Sequence, residues 1–350
     1  MATRRGFLAG LLASGLPLPT WADAGSPTHL AAGKLGEAYA LHGLTATGDS
    51  LFSIPLPARG HAAAAHPTRP VAVAFARRPG TFGLVIDCVD GRVTHRITPP
   101  DGRQFNGHGA FSADAETLYT SEVVAETSEG RIGLWRSSDY ARIGEWASGG
   151  IGPHDMKRLG DGSLIVANGG IVTDPTDRTK LNLATMRPNL TQLSPDGAVL
   201  AQVDLPELLQ NSIRHLALTA TGVAFAMQWE GDPADPVPLL GLWTPGQTPI
   251  LCPAPDADAY AMQGYAGSIA VDAATGDIAI TSPKGGIVMR FAASGAHLAT
   301  WRRADVCGMA ATGAGFIASD GAGALWAVED DGLQPLARHA TLWDNHIVRI

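Results

Sequence analysis

Short apolar runs alternating in period two recur along the chain, divided by clusters of Gly, Pro, Asp, Asn and Ser. That alternation marks strands with one buried face, and the dividing residues are those that tight turns demand. After "HAAAAHPTRP" come "VAVAFA", "FGLVIDCVDG" and "RVTHRI"; after "HGAFSADAET" come "LYTSEVV", "RIGLWRSSDY" and "ARIGEWA". The same pattern restarts at residues 61, 108, 154, 215, 268 and 307, at intervals of 39 to 61 residues. Four short strands per unit, in series, predict an all-β fold: a β-propeller with one sheet per blade. Six units are complete. The C-terminal "NHIVRI" reads as a further first strand, and the N-terminal "HLAAG", "AYALHGL" and "SLFSIPL" as the three that complete its sheet. The expected fold is therefore a seven-bladed propeller whose last blade is closed by both chain ends, which removes free sheet edges. A pair of β-sandwiches would not leave pieces of one unit at opposite termini.

Aligning the first residue of each innermost strand gives His61, His108, His154, His215, Ser268, Cys307 and His346. With eleven histidines in the chain, composition alone would put about 0.2 in seven such positions. Five are there. In six units the next strand's first apolar residue follows this position by eight to ten residues, so the register does not rest on matching histidines. Innermost strands run along the central channel, so the imidazoles are expected as a ring at one mouth. The alanines behind His61 suit a blade that narrows toward the axis.

Turns after the first and third strands are tight, as at Asp90-Gly91, Asp196-Gly197 and Ser294-Gly295. Connections after the second and fourth strands share the opposite face and include the long segments 168–188 and 228–238. Long polar loops on a rigid scaffold are where binding usually resides. Around that mouth the expected ligand-binding side chains are Arg59, Arg77, Arg78, Glu122, Asn168, Lys180, Asn182, Arg187, Arg214, Gln228, Ser268, Lys284 and Asn345. The remaining histidines, His29, His42, His66, His95, His297 and His339, read as surface or turn residues.

The first residues carry an address rather than a fold. "MATRRGFLAGLLASGLPLPTWADAG" joins an Arg4-Arg5 pair to an apolar run of about a dozen residues and a small Ala22-Asp23-Ala24 triplet. That is the layout of a twin-arginine export signal over residues 1–24, leaving a propeller domain over 25–350. The run is shorter than the roughly 20 residues that span a bilayer, so a soluble periplasmic protein, exported folded, is expected. The net charge of −8 and pI near 5.7 offer none of the basic surface that nucleic acid requires. Three widely spaced cysteines, Cys88, Cys252 and Cys307, do not form a disulfide framework.

The ring admits more than one chemistry. Neutral imidazole is the commonest metal ligand, and His61, His108, His154, His215 and His346, with Cys307 as a further ligand, would suit copper, iron or zinc. Asp155 and Glu122 would then act as outer acceptors fixing ring tautomers. Five histidines exceed what one tetrahedral zinc needs, and opposite blades of a wide channel could hold them too far apart. The same ring could instead line a water-filled channel, and Arg59, Arg77, Arg187 and Arg214 could capture a carboxylate or phosphate. An oxidoreductase or lyase using a histidine as acid or base, and a cofactor-free protein scaffold, remain open. There is no Gly-x-Ser-x-Gly, His-Glu-x-x-His or Cys-x-x-Cys motif.

The set "TRRGFL", "RGH", "RRPGTF", "GHGAFS", "GIGPHD", "VANGGI", "TKLNLATMRPNL", "SIRHLAL", "GYAGSIA", "TSPKGG", "DVCGMA" and "WDNHIVR" spans nearly the whole chain. It resembles an uncharacterised bacterial family, a domain of unknown function, of twin-arginine-exported seven-bladed propellers. Two departures are Asp155 after "GPH", where the family pattern has glutamate, and "TSEVVAE" in place of an acidic-asparagine version. The resemblance implies no established reaction. It implies a genomic setting beside imelysin-like and di-haem proteins, and hence a role as an accessory of periplasmic iron uptake with such proteins as partners. At the level of architecture it is similar to the nitrous oxide reductase propeller, whose histidine ring holds copper.

Overall fold

Seven four-stranded antiparallel sheets stand around one axis in the computed structural model, which describes residues 18–350. Six blades are built from consecutive strands, with inner strands Gly60–Ala65, Arg103–Phe111, Pro153–Arg158, Asn211–Leu218, Ser268–Val271 and Val306–Ala311. The seventh combines Leu342–Arg349 with His29–Leu35, Ala38–Leu44 and Ser50–Leu56. His29 pairs with Arg349 and Ala31 with Ile347, so the two chain ends close the ring. Residues 1–17 of the expected export signal lie outside the described residues. Its last residues pack on the propeller: Trp21 Nε1 donates to the His66 carbonyl at 2.9 Å. Among the described residues no helix is long and apolar enough to cross a membrane.

Burial explains the strand composition. Second strands, such as Val71–Ala76, are covered on both faces by neighbouring blades and read as unbroken apolar runs. Outermost strands, such as Arg92–Ile97, meet solvent and are polar. There is no single central core. Seven hydrophobic clusters fill the seven junctions between adjacent blades, for example Leu30, Leu41 and Ile54 against Ala72, Leu84 and Ile86. The axis itself is left as a channel. The histidines outside the column divide: His29, His42 and His66 are 1%, 6% and 3% exposed, whereas His95 is exposed and His297 and His339 are partly so. The surface expectation fails for the first three because blade packing covers them. His42 stacks edge-on against Trp343, and His29 Nε2 lies 3.1 Å from the Ala311 carbonyl.

Candidate metal centre in the central channel

Six of the seven inner strands are irregular at the aligned position. Their pairing slips between Gly60 and Ala63, Phe105 and Gly109, Pro153 and Met156, Ile213 and His215, and Val306 and Met309, and again opposite Trp343–Ile347. A bulge bends its strand and re-aims the side chain there. Only Ser268–Val271 pairs regularly, and the Ser268 hydroxyl accepts from the Met309 N–H at 3.1 Å.

The bulges turn five imidazoles into the channel, where they touch. Ring centroids are 5.0 Å apart for His61–His108, 4.8 Å for His108–His154 and 4.7 Å for His154–His215. The circuit closes at 4.7 Å for His215–His346 and 4.5 Å for His346–His61. The expected obstacle, a channel too wide for the rings to meet, does not arise. Gly107, at φ +92°, leaves space for the ring next door: a Cβ there would stand 2.5 Å from His61 Cδ2. Two trios, His61–His108–His154 and His108–His215–His346, have nitrogens that all lie within 4.8 Å of one another. Nitrogens around one tetrahedral ion stand about 3.3 Å apart, so a small rotation of the rings suffices.

Hydrogen bonding adds a second observation. His61 Nδ1, His108 Nε2, His154 Nδ1, His215 Nδ1 and His346 Nε2 are buried without a partner. Buried polar atoms are nearly always satisfied, so five orphaned ring nitrogens in one place fit an ion that accepts them. Burial, and secondarily the neighbouring imidazoles, push His215 down to about 3 and hold His61, His154 and His346 well below the ordinary value. These rings are neutral at pH 7, the form that binds metal.

Asp155 supports the cluster from outside. Its Oδ1 lies 3.4 Å from His108 Nδ1, leaving Nε2 as the free nitrogen of that ring. It also accepts from the Met156 and Leu216 N–H groups and lies 3.1 Å from Lys157 Nζ. Burial alone would raise this carboxyl, but Lys157 and His108 hold it below the usual carboxylate range. Such a carboxylate fixes the tautomer of a ligating imidazole. Lys157 escaped the sequence reading, although its period-two relation to Asp155 places both on the channel face.

Cys307 does not join the imidazoles. Its thiol lies against the Ser319 hydroxyl and the Asp344 carbonyl, each at 3.4 Å, in the junction between the last two blades. Burial pushes it up to about 12, so no thiolate is available. Glu122 is also elsewhere: fully buried, it accepts two bonds from Arg142 at 2.8 and 3.0 Å and one from the Thr120 hydroxyl. It is an internal brace of its blade, not an outer acceptor to a histidine. Asn168 is likewise buried and bonds to Ser148 across a blade junction and to Asn189 on the adjacent strand of its own blade. Asn182 ties the long loop together through the Val172 N–H and the Gly170 carbonyl.

Of the expected mouth residues, Arg59 pairs with Asp344 and Lys180 with Glu230. Lys284 stands 4.9 Å over the Tyr265 ring, and the backbone of Gln228 bridges to Tyr265. Arg187 is exposed, and Asn345 is half-buried with its N–H donated to Asp344. Arg77 and Arg78 are half-buried, and Arg214 is 5% exposed.

The open cavity runs the other way from the long loops. About 540 Å³ in volume, it starts at His108, His215 and His346 and is walled by Ala62–Ala65, Ala110, Ala217 and Ala310. It ends at Phe111, Arg158, Leu218 and Arg349, on the face of the tight turns. This cavity thus opens at the mouth opposite the one the long loops surround. The alanines after His61 are the wall of the tunnel, since larger side chains would fill it.

Fold and site define a β-propeller with a histidine-packed channel. The chain belongs to the family described as protein of unknown function (DUF1513), whose model matches residues 54–350. Among solved structures it is similar to the Kuenenia stuttgartiensis hydrazine synthase, at 12% identity and TM-score 0.60, covering 87% of this chain and 90% of that one. It is also similar to a streptogramin B lyase, at 14% identity and TM-score 0.57 with 79% and 82% covered. A chain of the mitotic checkpoint complex aligns at 11% identity and TM-score 0.55, with 79% and 75% covered. At these identities the likeness concerns the fold alone. No curated protein matches the sequence.

Proposed function

We propose that this protein binds a transition-metal ion at the channel histidines, with His108, His215 and His346 as the primary ligands and His61 and His154 completing or extending the site. The observation that carries this is the circuit of five touching imidazoles, each with a buried, unpartnered nitrogen. The donors are all imidazole nitrogen, since the Cys307 thiol is elsewhere. Such a set favours copper over zinc, and both over iron. The trio that lines the cavity leaves a side of the ion open to a small ligand entering by the alanine-walled tunnel.

The "TRRGFL" leader supports a periplasmic setting, where a metal loaded before folded export would be retained. A role as accessory to iron uptake, beside imelysin-like or di-haem partners, belongs to the same proposal. Titration of metal-free protein with copper, zinc and iron, followed by elemental analysis, tests the reading. Stoichiometric copper or zinc, lost in His108→Ala with the fold retained, is the expected result. Protein that stays metal-free with all three overturns it.

A second reading, a lyase or oxidoreductase, draws on the cavity itself, which brings Asp155 and Lys157 beside the imidazoles. Turnover of a small substrate lost in both Lys157→Met and His215→Ala would favour it.

A further inference from the structure

On the loop side of the imidazoles arginines outnumber acids, and the charges of Arg214, Arg178 and Arg77 all bear on Arg78. Arg77 and Arg78 leave the end of strand Val71–Ala76, Arg214 precedes His215 on its inner strand, and Arg178 comes from the long loop 169–188. Among the described residues none of the four has a carboxylate within 4 Å. The acids nearby are engaged: Asp344 by Arg59, Glu230 by Lys180, and Asp155 by Lys157 and His108. Arg214 is 5% exposed, and its Nε is buried with no hydrogen-bond partner. Gly169 keeps space beside that guanidinium: a Cβ there would lie 3.4 Å from Arg214 Cζ and 2.9 Å from the Ser212 hydroxyl.

General basicity does not explain the cluster, since the chain carries a net charge of −8. A guanidinium keeps its proton, so crowding several in a half-buried place is unfavourable unless something negative compensates them. We propose that this face is a second binding site, for a small polyanion whose carboxylate or phosphate oxygens are held in pairs by Arg78 and Arg214, with Arg77 and Arg178 flanking. Paired oxygens match the guanidinium fork, and two or more negative charges match a group of four cations. The site stands on observations separate from the imidazole nitrogens, so it can hold or fail independently of metal binding.

The test is calorimetric titration of the full mature protein with citrate and, separately, with inorganic phosphate, in the presence of a chelator so that metal plays no part. At least one anion should bind and raise Tm, and Arg78→Gln and Arg214→Gln should each weaken it by about tenfold or more. Arg349→Gln, at the opposite mouth, should leave binding unchanged. Tighter citrate binding assigns a polycarboxylate and tighter phosphate binding a phosphoryl ligand. If Arg214→Gln does not fold, Arg78→Gln and Arg178→Gln serve instead. The proposal is overturned if neither anion binds at about 10 mM, or if the folded variants bind as tightly as the unaltered protein.

Discussion

His108 holds the centre together because its ring touches all four others and its two nitrogens are divided between tasks. Nδ1 faces Asp155 at 3.4 Å and Nε2 points, unpartnered, among the imidazoles. Asp155→Asn should therefore leave all five rings present yet lower copper or zinc affinity by about 10–100-fold, since losing an outer carboxylate costs that much. Competition against a chelator measures it, and unchanged affinity would show that Asp155 serves only Lys157 and the backbone. Glu122 makes the opposite prediction. Glu122→Gln breaks a buried two-pronged pair with Arg142 and should destabilise by about 3 kcal/mol, read as a lower denaturant midpoint with metal stoichiometry unchanged. At this scale the histidine column was readable because it repeats, whereas the fates of Glu122 and Cys307 were not. Cys307 sits in the same kind of slip as His61 and His154, but its short thiol is held by Ser319 and Asp344. Glu122 is held by Arg142, and such tertiary partners leave no local pattern to read.

Bulges are what turn a β-propeller into a site. Regularly paired inner-strand residues alternate between the two flanking junctions, as Ala63 and Ala65 do against Ala64, so a slip is needed to aim a side chain along the axis. The turn residues and apolar runs give the strands, their number and the split last blade, because these depend on local alternation. The slips at Phe105–Gly109 and Pro153–Met156 depend on tertiary packing and leave no such trace. The direction of the open cavity was hidden for the same reason, as it depends on which end the imidazoles fill. Gly107 lies within one slip, at φ +92°, against His61. Gly107→Ala adds both an unfavourable backbone and a collision with that ring. The expected outcome is a folded protein with weakened metal binding and an altered copper EPR spectrum; a spectrum identical to the unaltered protein would mean that the strand can relax without moving His61.

The whole molecule is seven junctions in series, closed by the pairing of the first and last strands, and buried histidines sit among those junctions as well as in the channel. Burial, with His339 nearby, pushes His42 down to about 4; burial, with Arg69 nearby, does the same to His66. In the unfolded chain both take up protons near pH 6.5. Between about pH 6.5 and 4 the unfolded state thus binds more protons than the folded one, and stability must fall as the pH is lowered through that window. Above it the contribution is fully present. His42 packs edge-on against Trp343 of the closing strand, so its protonation loosens the junction on which ring closure depends. Tm of metal-free protein should therefore decline from pH 7 to pH 5, before the carboxylates titrate, and less steeply in His42→Gln. A decline just as steep in His42→Gln would mean that the closing blade tolerates a charged ring at residue 42 and that His66 and the channel imidazoles carry the effect.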